Sequence, residues 1–328
     1  MLGVEVDRRL VVVTDHGFED LRLEQAVARK HGADLLVAEC TGVNGTPEAV
    51  AAAVAGAAVI MVGHTAITRE ALEALAPGGV VVRVGVGVDN IDLSAARQLG
   101  IKVANVPDYG AETVADHAVA CVLSLSRKLQ QYHGVIDGNG WGTPGDVGPV
   151  RGLRSTVIGL IGFGRIARAV HRRLTPFGVE VIAVDPMVAD RVFTESGIER
   201  VTLQELQARA HVISLHTPAT AQTRHLVNAE FLADLQPGAV LVNTARGALV
   251  DHDALADALI HGTLAGAALD VTEPEPLPMD HRLRGLDSVL LTPHVAYYDQ
   301  DSFGALQRLS SEELGRALRG EALRCQID

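Results

Sequence analysis

A glycine-rich turn and an acidic residue beyond it carry the clearest chemical signal in the sequence. The stretch Thr156–Ala167 reads as a buried apolar strand, a turn with Gly162 and Gly164, and the start of a helix. Asp185 closes the next apolar run, about 20 residues further on. Glycines at these positions permit a tight turn and let the backbone approach a pyrophosphate, whose charge a helix N-terminus favours. The pattern predicts a dinucleotide-binding site.

Asp185 favours NAD over NADP. A carboxylate at the end of this strand accepts hydrogen bonds from ribose hydroxyls and repels a 2′-phosphate. Pro186 and Met187 follow it, where a phosphate-binding arginine would favour NADP, and Arg191 is the nearby residue that argues for NADP. An aspartate that only caps the strand is the alternative interpretation.

Other polar residues have the chemistry needed to act on a small carboxylic acid. The guanidinium of Arg246 could bind a carboxylate through two parallel hydrogen bonds, or pair with a surface acid such as Asp251. His294 can exchange a proton near neutral pH. Glu273 and Glu275 are both candidates for the carboxylate that would fix the tautomer of this ring. Together these side chains could support proton transfer to a bound acid.

The elements that must position these residues alternate between short β-branched runs and longer helical patterns, which predicts an α/β fold with parallel sheets. A nearly continuous apolar run, Ala111–Leu125, predicts a helix buried on most sides. Gly138–Gly148 is predicted as a loop anchored by Trp141. The predicted strands are Leu10–Thr14, Asp34–Ala38, Ala57–Val62, Val80–Val84, Lys102–Asn105, Thr156–Ile161, Val179–Val184, His211–Leu215, Ala239–Asn243, Gly266–Leu269 and Ser288–Leu291.

The polar residues of the second half follow directly after its strands. In open parallel sheets, ligands bind outside the carboxyl ends of the strands. We therefore expect one edge of one sheet to gather the glycine turn, Asp185, His216-Thr217-Pro218, Thr244-Ala245-Arg246, Asp270 and His294.

Length and composition narrow the class of protein. A chain of 328 residues predicts two domains, and a net charge of −12 disfavours nucleic acid and anionic membranes as partners. No apolar stretch approaches the ~20 residues of a membrane span, and the N-terminus lacks a signal-peptide pattern. Cys40, Cys121 and Cys325 lack metal-ligand spacing. This predicts reduced thiols, no metal site and a cytoplasmic location.

Taken together, the motifs resemble those of the D-isomer-specific 2-hydroxyacid dehydrogenases, and the resemblance covers nearly the whole chain. It implies that Arg246 binds and polarises the substrate, that Glu275 orients the catalytic histidine, and that His294 is the proton donor and acceptor. The cofactor is expected to be NAD, bound by Gly162, Gly164, Arg165, Ile166, Asp185, His216, Thr217, Pro218, Thr244, Ala245 and Asp270.

The resemblance also implies how the chain divides. It implies a smaller flavodoxin-like α/β substrate domain, residues 1–105 with 299–328, and a doubly wound (Rossmann) NAD-binding domain, residues 106–298, with a cleft that closes over the ligands. Without the resemblance, the Val–Gly loop after Arg83 reads as a strand end. The implied substrate-binding residues are His64, Arg83, Val84, Gly85, Val86, Gly87 and Tyr297.

Four segments are most similar to the branch of the family that contains the C-terminal-binding-protein co-repressors: Val62–Thr65, Asn105–Tyr109, Val114–His117 and Pro293–Tyr298. Tyr297 stands where that branch often has Trp, and Thr272 where the wider family usually has an aromatic. The predicted function is an NAD-dependent oxidoreductase, a homodimer, that interconverts a 2-oxo acid and a D-2-hydroxy acid. The alternative is an NAD(H)-sensing, co-repressor-like interaction protein with little turnover.

Overall fold

The computed structural model describes residues 9–40 and 45–327, which fall into two compact units. The first is Met1–Gly110 with Asp299–Asp328, and the second is Ala111–Tyr298. Residues 106–110, which the sequence assigns to the NAD-binding domain, group with the first unit, since Val106 N–H donates to Gly85 O at 2.9 Å and Arg324 pairs with Asp108. Residues 1–8, on which the signal-peptide prediction rests, lie outside the described residues.

The elements of the described chain run as follows. The strands are β1 (Arg9–Val13), β2 (Ala33–Val37), β3 (Val59–Val62), β4 (Val80–Arg83), β5 (Lys102–Ala104), β6 (Val157–Ile161), β7 (Glu180–Val184), β8 (Glu199–Arg200), β9 (Val212–Leu215), β10 (Val240–Asn243), β11 (Gly266–Leu269), β12 (Val289–Leu291) and β13 (Gln326–Ile327). The helices are α1 (Arg22–Lys30), α2 (Pro47–Ala53), α3 (Arg69–Glu73), α4 (Leu93–Leu99), α5 (Ala111–Arg127), α6 (Leu129–Asn139), α7 (Arg165–Leu174), α8 (Asp190–Ser196), α9 (Leu203–Arg209), α10 (Ala229–Ala233), α11 (His252–Ile260) and α12 (Gln300–Arg319).

The first unit contains a six-stranded sheet in the order β13-β5-β4-β3-β1-β2. All neighbours are parallel except β13, which is antiparallel to β5. The order 2-1-3-4-5 is that of flavodoxin-like folds. The side chains of β3 and β4 are buried throughout, as expected for central strands covered on both faces.

The second unit is a doubly wound Rossmann fold. Its seven-stranded parallel sheet has the order β12-β11-β10-β9-β6-β7-β8. The order reverses between β6 and β9, so a crevice opens at the carboxyl ends of these two strands. Two apolar clusters, one around Leu206, Ile213 and Leu241 and one around Ile158, Phe163 and Val170, form its core. The rigid sheet fixes where each strand-end residue stands.

The eleven predicted strands are present, within a few residues at each end, and the structure adds β8 and β13. Both of these are two-residue edge strands without a buried side chain, so neither leaves an apolar signal in the sequence. The Gly138–Gly148 prediction was wrong in part. Its first residues end α6, Pro144–Val147 forms a 3₁₀ turn, and Trp141 is 81% exposed, so its ring does not anchor the segment.

Within the described ranges, no helix combines the length and the apolar character that a membrane crossing requires.

Candidate active site

Gly162 joins two of the strand ends that the sequence predicts to meet. Its φ is +91°, and a Cβ there would lie 2.7 Å from His216 O and 2.9 Å from Thr217 N. The loop after β6 therefore packs directly against the backbone of the loop after β9. Only glycine combines this left-handed conformation with so close an approach.

The next glycine, Gly164, faces open space. A Cβ there would meet nothing within 4 Å, and no side chain of the described residues caps α7 at this position. The first backbone N–H groups of α7 are thus open to an anion, and α7 has 10 residues to contribute its dipole. Arg165 and Ile166 begin this helix. The turn fits the pyrophosphate of a dinucleotide.

Asp185 is tied to the same turn. Phe163 N–H donates to its Oδ2 at 2.8 Å, and Met187 N–H donates to its Oδ1 at 2.8 Å. The carboxylate remains partly exposed, so these local bonds are compatible with a ribose contact. The guanidinium that reaches this segment is that of Arg200, which donates to Asp185 O at 3.0 Å and pairs with Asp190. Sequence reasoning named Arg191 and missed Arg200.

Two more predicted cofactor positions lie at this edge of the sheet. Burial lowers the pKa of His216 to about 4, and Ser214 Oγ lies 2.9 Å from its Nε2. A neutral His216 can contact a polar group but brings no positive charge. Thr244 is buried after β10, and within the described residues its Oγ1 has no hydrogen-bond partner. Because buried hydroxyls are nearly always paired, this oxygen is suited to a bound ligand.

The turn that carries Arg246 is held from both sides. Asn243 Oδ1 accepts from Ala245 N–H at 3.0 Å, while Asn243 Nδ2 donates to Arg246 O at 2.8 Å. Arg246 Nη1 donates to Ala245 O at 2.7 Å. Asp251, the alternative partner considered from the sequence, accepts from two backbone N–H groups at the start of α11.

His294 and Glu275 are in contact. The Nδ1 atom of His294 lies 2.6 Å from Glu275 Oε1, and the ring of Tyr297 stands edge-on at 6.2 Å. Glu273 instead pairs with Arg224 at 2.8 Å, and the hydrogen bond from Arg224 lowers the pKa of Glu273. Of the two glutamates left open by the residues alone, the structure therefore places Glu275 against the histidine.

Asp270 supports the loop that carries His294. It is buried, and its carboxylate accepts from Thr292 Oγ1 at 2.5 Å and from the N–H groups of Val295 and Ala296 at 2.9 Å. His294 N–H donates to Asp270 O at 2.8 Å, and His294 adopts a left-handed φ of +54°. Both oxygens of Asp270 thus serve the 292–296 loop, in addition to any contact with the cofactor.

In the first unit, the Val84–Gly87 loop follows β4. Val84 N–H donates to Val62 O at 2.8 Å and Gly85 N–H to Arg83 O at 3.0 Å, so these two donors are occupied. Among the described residues, no backbone acceptor is recorded for the N–H groups of Val86 and Gly87. Arg83 is buried and donates to Val84 O, beside Gly85. The donors suited to a carboxylate are therefore those of Val86 and Gly87.

Sequence reasoning missed Asp15, which follows β1 in the first unit. Its carboxylate accepts from Gly63 N–H at 3.0 Å and His64 N–H at 2.5 Å, and from Thr65 Oγ1 at 2.6 Å. Burial opposes ionisation, but the hydrogen bonds from Thr65, His64 and Thr14 outweigh it and lower the pKa of Asp15. Asp15 thereby fixes the loop of His64. The strand-end argument used for the second sheet would have found it in the first.

Comparison with known proteins decides the family. The family model described as "D-isomer specific 2-hydroxyacid dehydrogenase, NAD binding domain" matches residues 119–296. The chain belongs to the D-isomer specific 2-hydroxyacid dehydrogenase family. It therefore carries that family's NAD-binding domain, which agrees with the cofactor expected from the glycine turn.

Two relatives and two solved structures illustrate the likeness. D-3-phosphoglycerate dehydrogenase of Methanocaldococcus jannaschii is 37% identical over 260 residues, 78% of this chain and 49% of the relative. The protein of the same name from Mycobacterium leprae is 36% identical over 264 residues, 80% of this chain and 49% of the relative. This chain thus spans about half the length of both relatives.

The TT0316 protein of Thermus thermophilus superposes with a TM-score of 0.84 at 32% identity, covering 97% of this chain and 100% of the other. D-lactate dehydrogenase of Aquifex aeolicus, complexed with NAD and lactic acid, superposes with a TM-score of 0.84 at 29% identity. The superposition covers 95% of this chain and 96% of the other.

Gly164→Ala is expected to weaken NADH binding by about tenfold or more while leaving the melting temperature unchanged. The added methyl group meets no protein atom but occupies the space beside the first N–H groups of α7. Isothermal titration with NADH, beside a thermal melt, measures both quantities. Gly304→Ala, another glycine whose Cβ would meet nothing within 4 Å, is the control. Unchanged NADH affinity in Gly164→Ala would show that this space is not used.

His252 makes the stability of the second unit depend on pH. It is buried at the start of α11, and burial, helped by the charge of His281, lowers its pKa from 6.5 to about 4. The unfolded chain therefore binds more protons between these values, so stability falls as the pH drops from about 6.5 towards 4. We expect His252→Leu to reduce the pH slope of the free energy of unfolding by up to about 1.4 kcal/mol per pH unit. Urea denaturation at pH 6 and pH 5 measures this slope, with exposed His261→Leu as the control. Equal slopes in the wild type and in His252→Leu would contradict the prediction.

Proposed function

We propose that this protein is an NAD-dependent oxidoreductase that interconverts a 2-oxo acid and a D-2-hydroxy acid. The observation that carries the proposal is the 2.6 Å contact between His294 Nδ1 and Glu275 Oε1. It lies in the unit whose glycine turn, Gly162 and Gly164, fits a dinucleotide. A histidine–carboxylate pair in an NAD-binding unit supplies the proton transfer that must accompany hydride transfer to a carbonyl group.

The roles of the residues follow from their donors and acceptors. When bound, NADH would supply the hydride needed at C2 of the 2-oxo acid. The carboxylate of Glu275 accepts the Nδ1–H of His294, which leaves Nε2 to give its proton to the substrate's carbonyl oxygen and to take it back in the reverse direction. Arg246 binds the substrate's carboxylate through its planar guanidinium and stabilises the negative charge that develops on the oxygen.

The chain offers residues for each part of the cofactor. The N–H groups at the start of α7, with Gly162 and Gly164, would hold the pyrophosphate, and Asp185 would accept from a ribose hydroxyl. The buried Oγ1 of Thr244 would gain a hydrogen bond. Because Arg200 is already paired with Asp190, we expect NADH to be preferred over NADPH.

For the substrate, we propose that the N–H groups of Val86 and Gly87 bind a carboxylate, with His64 and Tyr297 near the side chain. Arg83 would act through the loop, because its guanidinium donates to Val84 O. The named activities of the relatives suggest the substrates to try. Because similar proteins are named D-3-phosphoglycerate dehydrogenase and D-lactate dehydrogenase, the first candidates are the 2-oxo acids that correspond to D-3-phosphoglycerate and D-lactate.

The first experiment is a panel of 2-oxo acids incubated with NADH, followed by the loss of NADH absorbance. The panel runs from glyoxylate and pyruvate through hydroxypyruvate to branched, aromatic and phosphorylated members. Turnover of one of them with a D-hydroxy acid as product supports the proposal. Tight NADH binding without turnover across the panel would refute it and favour the co-repressor-like alternative.

We also propose a homodimer and a cytoplasmic location. Helix α6 has no buried residue, and it presents exposed apolar side chains at Leu129 and Ile136, beside Trp141. Such a helix is better explained by a second copy that covers it than by contact with water. The three cysteines are free thiols, two of them buried, as is usual in a reducing compartment. Sedimentation velocity tests the dimer.

A further inference from the structure

One of the four segments singled out in the sequence, Val114–His117, has no part in the proposed reaction, yet its histidine reaches the candidate active site. His117 lies on α5, a helix that packs into the apolar core of the second unit. Its Nε2 atom lies 3.2 Å from Thr292 Oγ1. Thr292 opens the 292–296 loop, which carries His294. A helix fixed in the core thus contacts a loop that must place the proposed proton carrier.

The direction of this hydrogen bond follows from the next one. Thr292 Oγ1 donates its single proton to Asp270 Oδ1 at 2.5 Å, because an ionised carboxylate can only accept. Towards His117 the same hydroxyl oxygen is therefore an acceptor, and Nε2 of His117 must carry the proton. The imidazole, the hydroxyl and the carboxylate form one directed chain. In such a chain each hydrogen bond polarises and strengthens the next.

At its far end, the chain of hydrogen bonds holds the backbone around His294. The carboxylate of Asp270 accepts from the N–H groups of Val295 and Ala296, and its carbonyl oxygen accepts from His294 N–H at 2.8 Å. His294 itself has a left-handed φ of +54°. Outside glycine, this conformation persists only where the surroundings enforce it. The orientation of the imidazole of His294 therefore depends on where Asp270 is held.

Donation of a hydrogen bond, and not charge, is the property of His117 that this geometry uses. Its Nε2 lies 3.9 Å from Asp270 Oδ1, which is too far for a hydrogen bond, so His117 acts on Asp270 through the hydroxyl of Thr292. Glutamine has an amide NH₂ group that can replace the Nε2–H donor, and it carries no charge. A glutamine variant therefore separates donation from charge.

We propose that His117 is a positioning residue for the proposed reaction. By donating to Thr292, it directs the hydroxyl proton of that threonine to Asp270, and Asp270 in turn holds the backbone of His294. The expected effect on turnover rests on the function proposed above. The expected effect on the imidazole of His294 does not, and it is measurable without turnover.

The first test is steady-state kinetics on the best substrate of the panel. His117→Leu should lower kcat about tenfold, because a positioning hydrogen bond is lost, while KM and the affinity for NADH stay within about twofold. His117→Gln, which keeps a donor, should restore most of the kcat. His261→Leu, whose imidazole bonds only to Asp257 O on its own helix, is the control and should not change kcat. Thermal melts establish that each variant folds.

Thr292→Val shows whether His117 acts through the hydroxyl. This substitution should lower kcat at least as much as His117→Leu does, because both hydrogen bonds of the hydroxyl are lost. Combining the two substitutions should cause no loss beyond that of Thr292→Val, since residues in one hydrogen-bond network are not additive. Additive losses would show that His117 acts by another route and would overturn the proposal.

Nitrogen NMR of the histidine rings tests the inference without a substrate. The signals of His294 are identified by their loss in His294→Ala, and we expect them to shift in His117→Leu and Thr292→Val but not in His117→Gln. Unchanged His294 signals or a wild-type kcat in His117→Leu would overturn the proposal, as would a His117→Gln variant as impaired as His117→Leu. If the wild type turns over no member of the panel, the proposed function fails, and the NMR measurement alone decides the role of His117.

Discussion

His294→Ala is expected to lower kcat for 2-oxo acid reduction by about 10³-fold while leaving the affinity for NADH unchanged. The proposed reaction moves a proton between His294 Nε2 and the substrate's oxygen, and general acid–base catalysis of this kind contributes about 10²- to 10⁴-fold. The glycine turn and Asp185, which are proposed to bind the cofactor, do not depend on the imidazole. Steady-state kinetics on the best substrate of the panel and an NADH titration measure both effects.

His261→Ala is the matched control for this substitution. His261 also belongs to the second unit, but it is exposed at the end of α11 and bonds to Asp257 O. Its removal should leave kcat unchanged, so a loss specific to His294 identifies the proton carrier. Turnover retained in His294→Ala would remove this residue from the mechanism and with it the main support for the assigned reaction.

The apolar runs predict the sheets well because parallel strands covered on both faces are almost uniformly apolar. Six strands of the second unit, β6, β7 and β9 to β12, stand where the sequence expects them. Helix α6 was not predicted, because it lacks the buried apolar residues that reveal the strands. None of its residues is buried, so its sequence has no apolar periodicity to read.

The sequence predicts those parts of the candidate site that the sheet topology alone brings together. Residues that follow parallel strands share an edge, so Asp185, Thr244, Asp270 and His294 could be grouped without coordinates. Contacts made by long side chains could not be predicted in this way. Arg200 reaches Asp185 from a two-residue strand with no sequence signal, and the choice between Glu273 and Glu275 depends on a loop whose backbone the residues alone leave open.

Gly247→Ala is expected to destabilise the protein by about 3 kcal/mol or more and to remove most of the activity. A Cβ at Gly247 would lie 2.1 Å from both C and O of Thr272 and 2.7 Å from Glu273 N. These are backbone atoms, so no side-chain rotation relieves the overlap, and overpacking of this kind costs about 1–3 kcal/mol even where neighbours can yield. The loop that must move is the one that carries Glu275. Urea denaturation and steady-state kinetics measure the two losses.

The control is Gly285→Ala in the same unit. A Cβ there would meet nothing within 4 Å, so stability and kcat should both stay at the wild-type level. If Gly247→Ala is destabilised but the surviving folded protein keeps its kcat, the loop has moved without disturbing the pair of His294 and Glu275. That result would separate the packing role of Gly247 from the positioning of Glu275. A variant as stable as wild type would instead contradict the close contact between the Arg246 turn and the loop of Thr272.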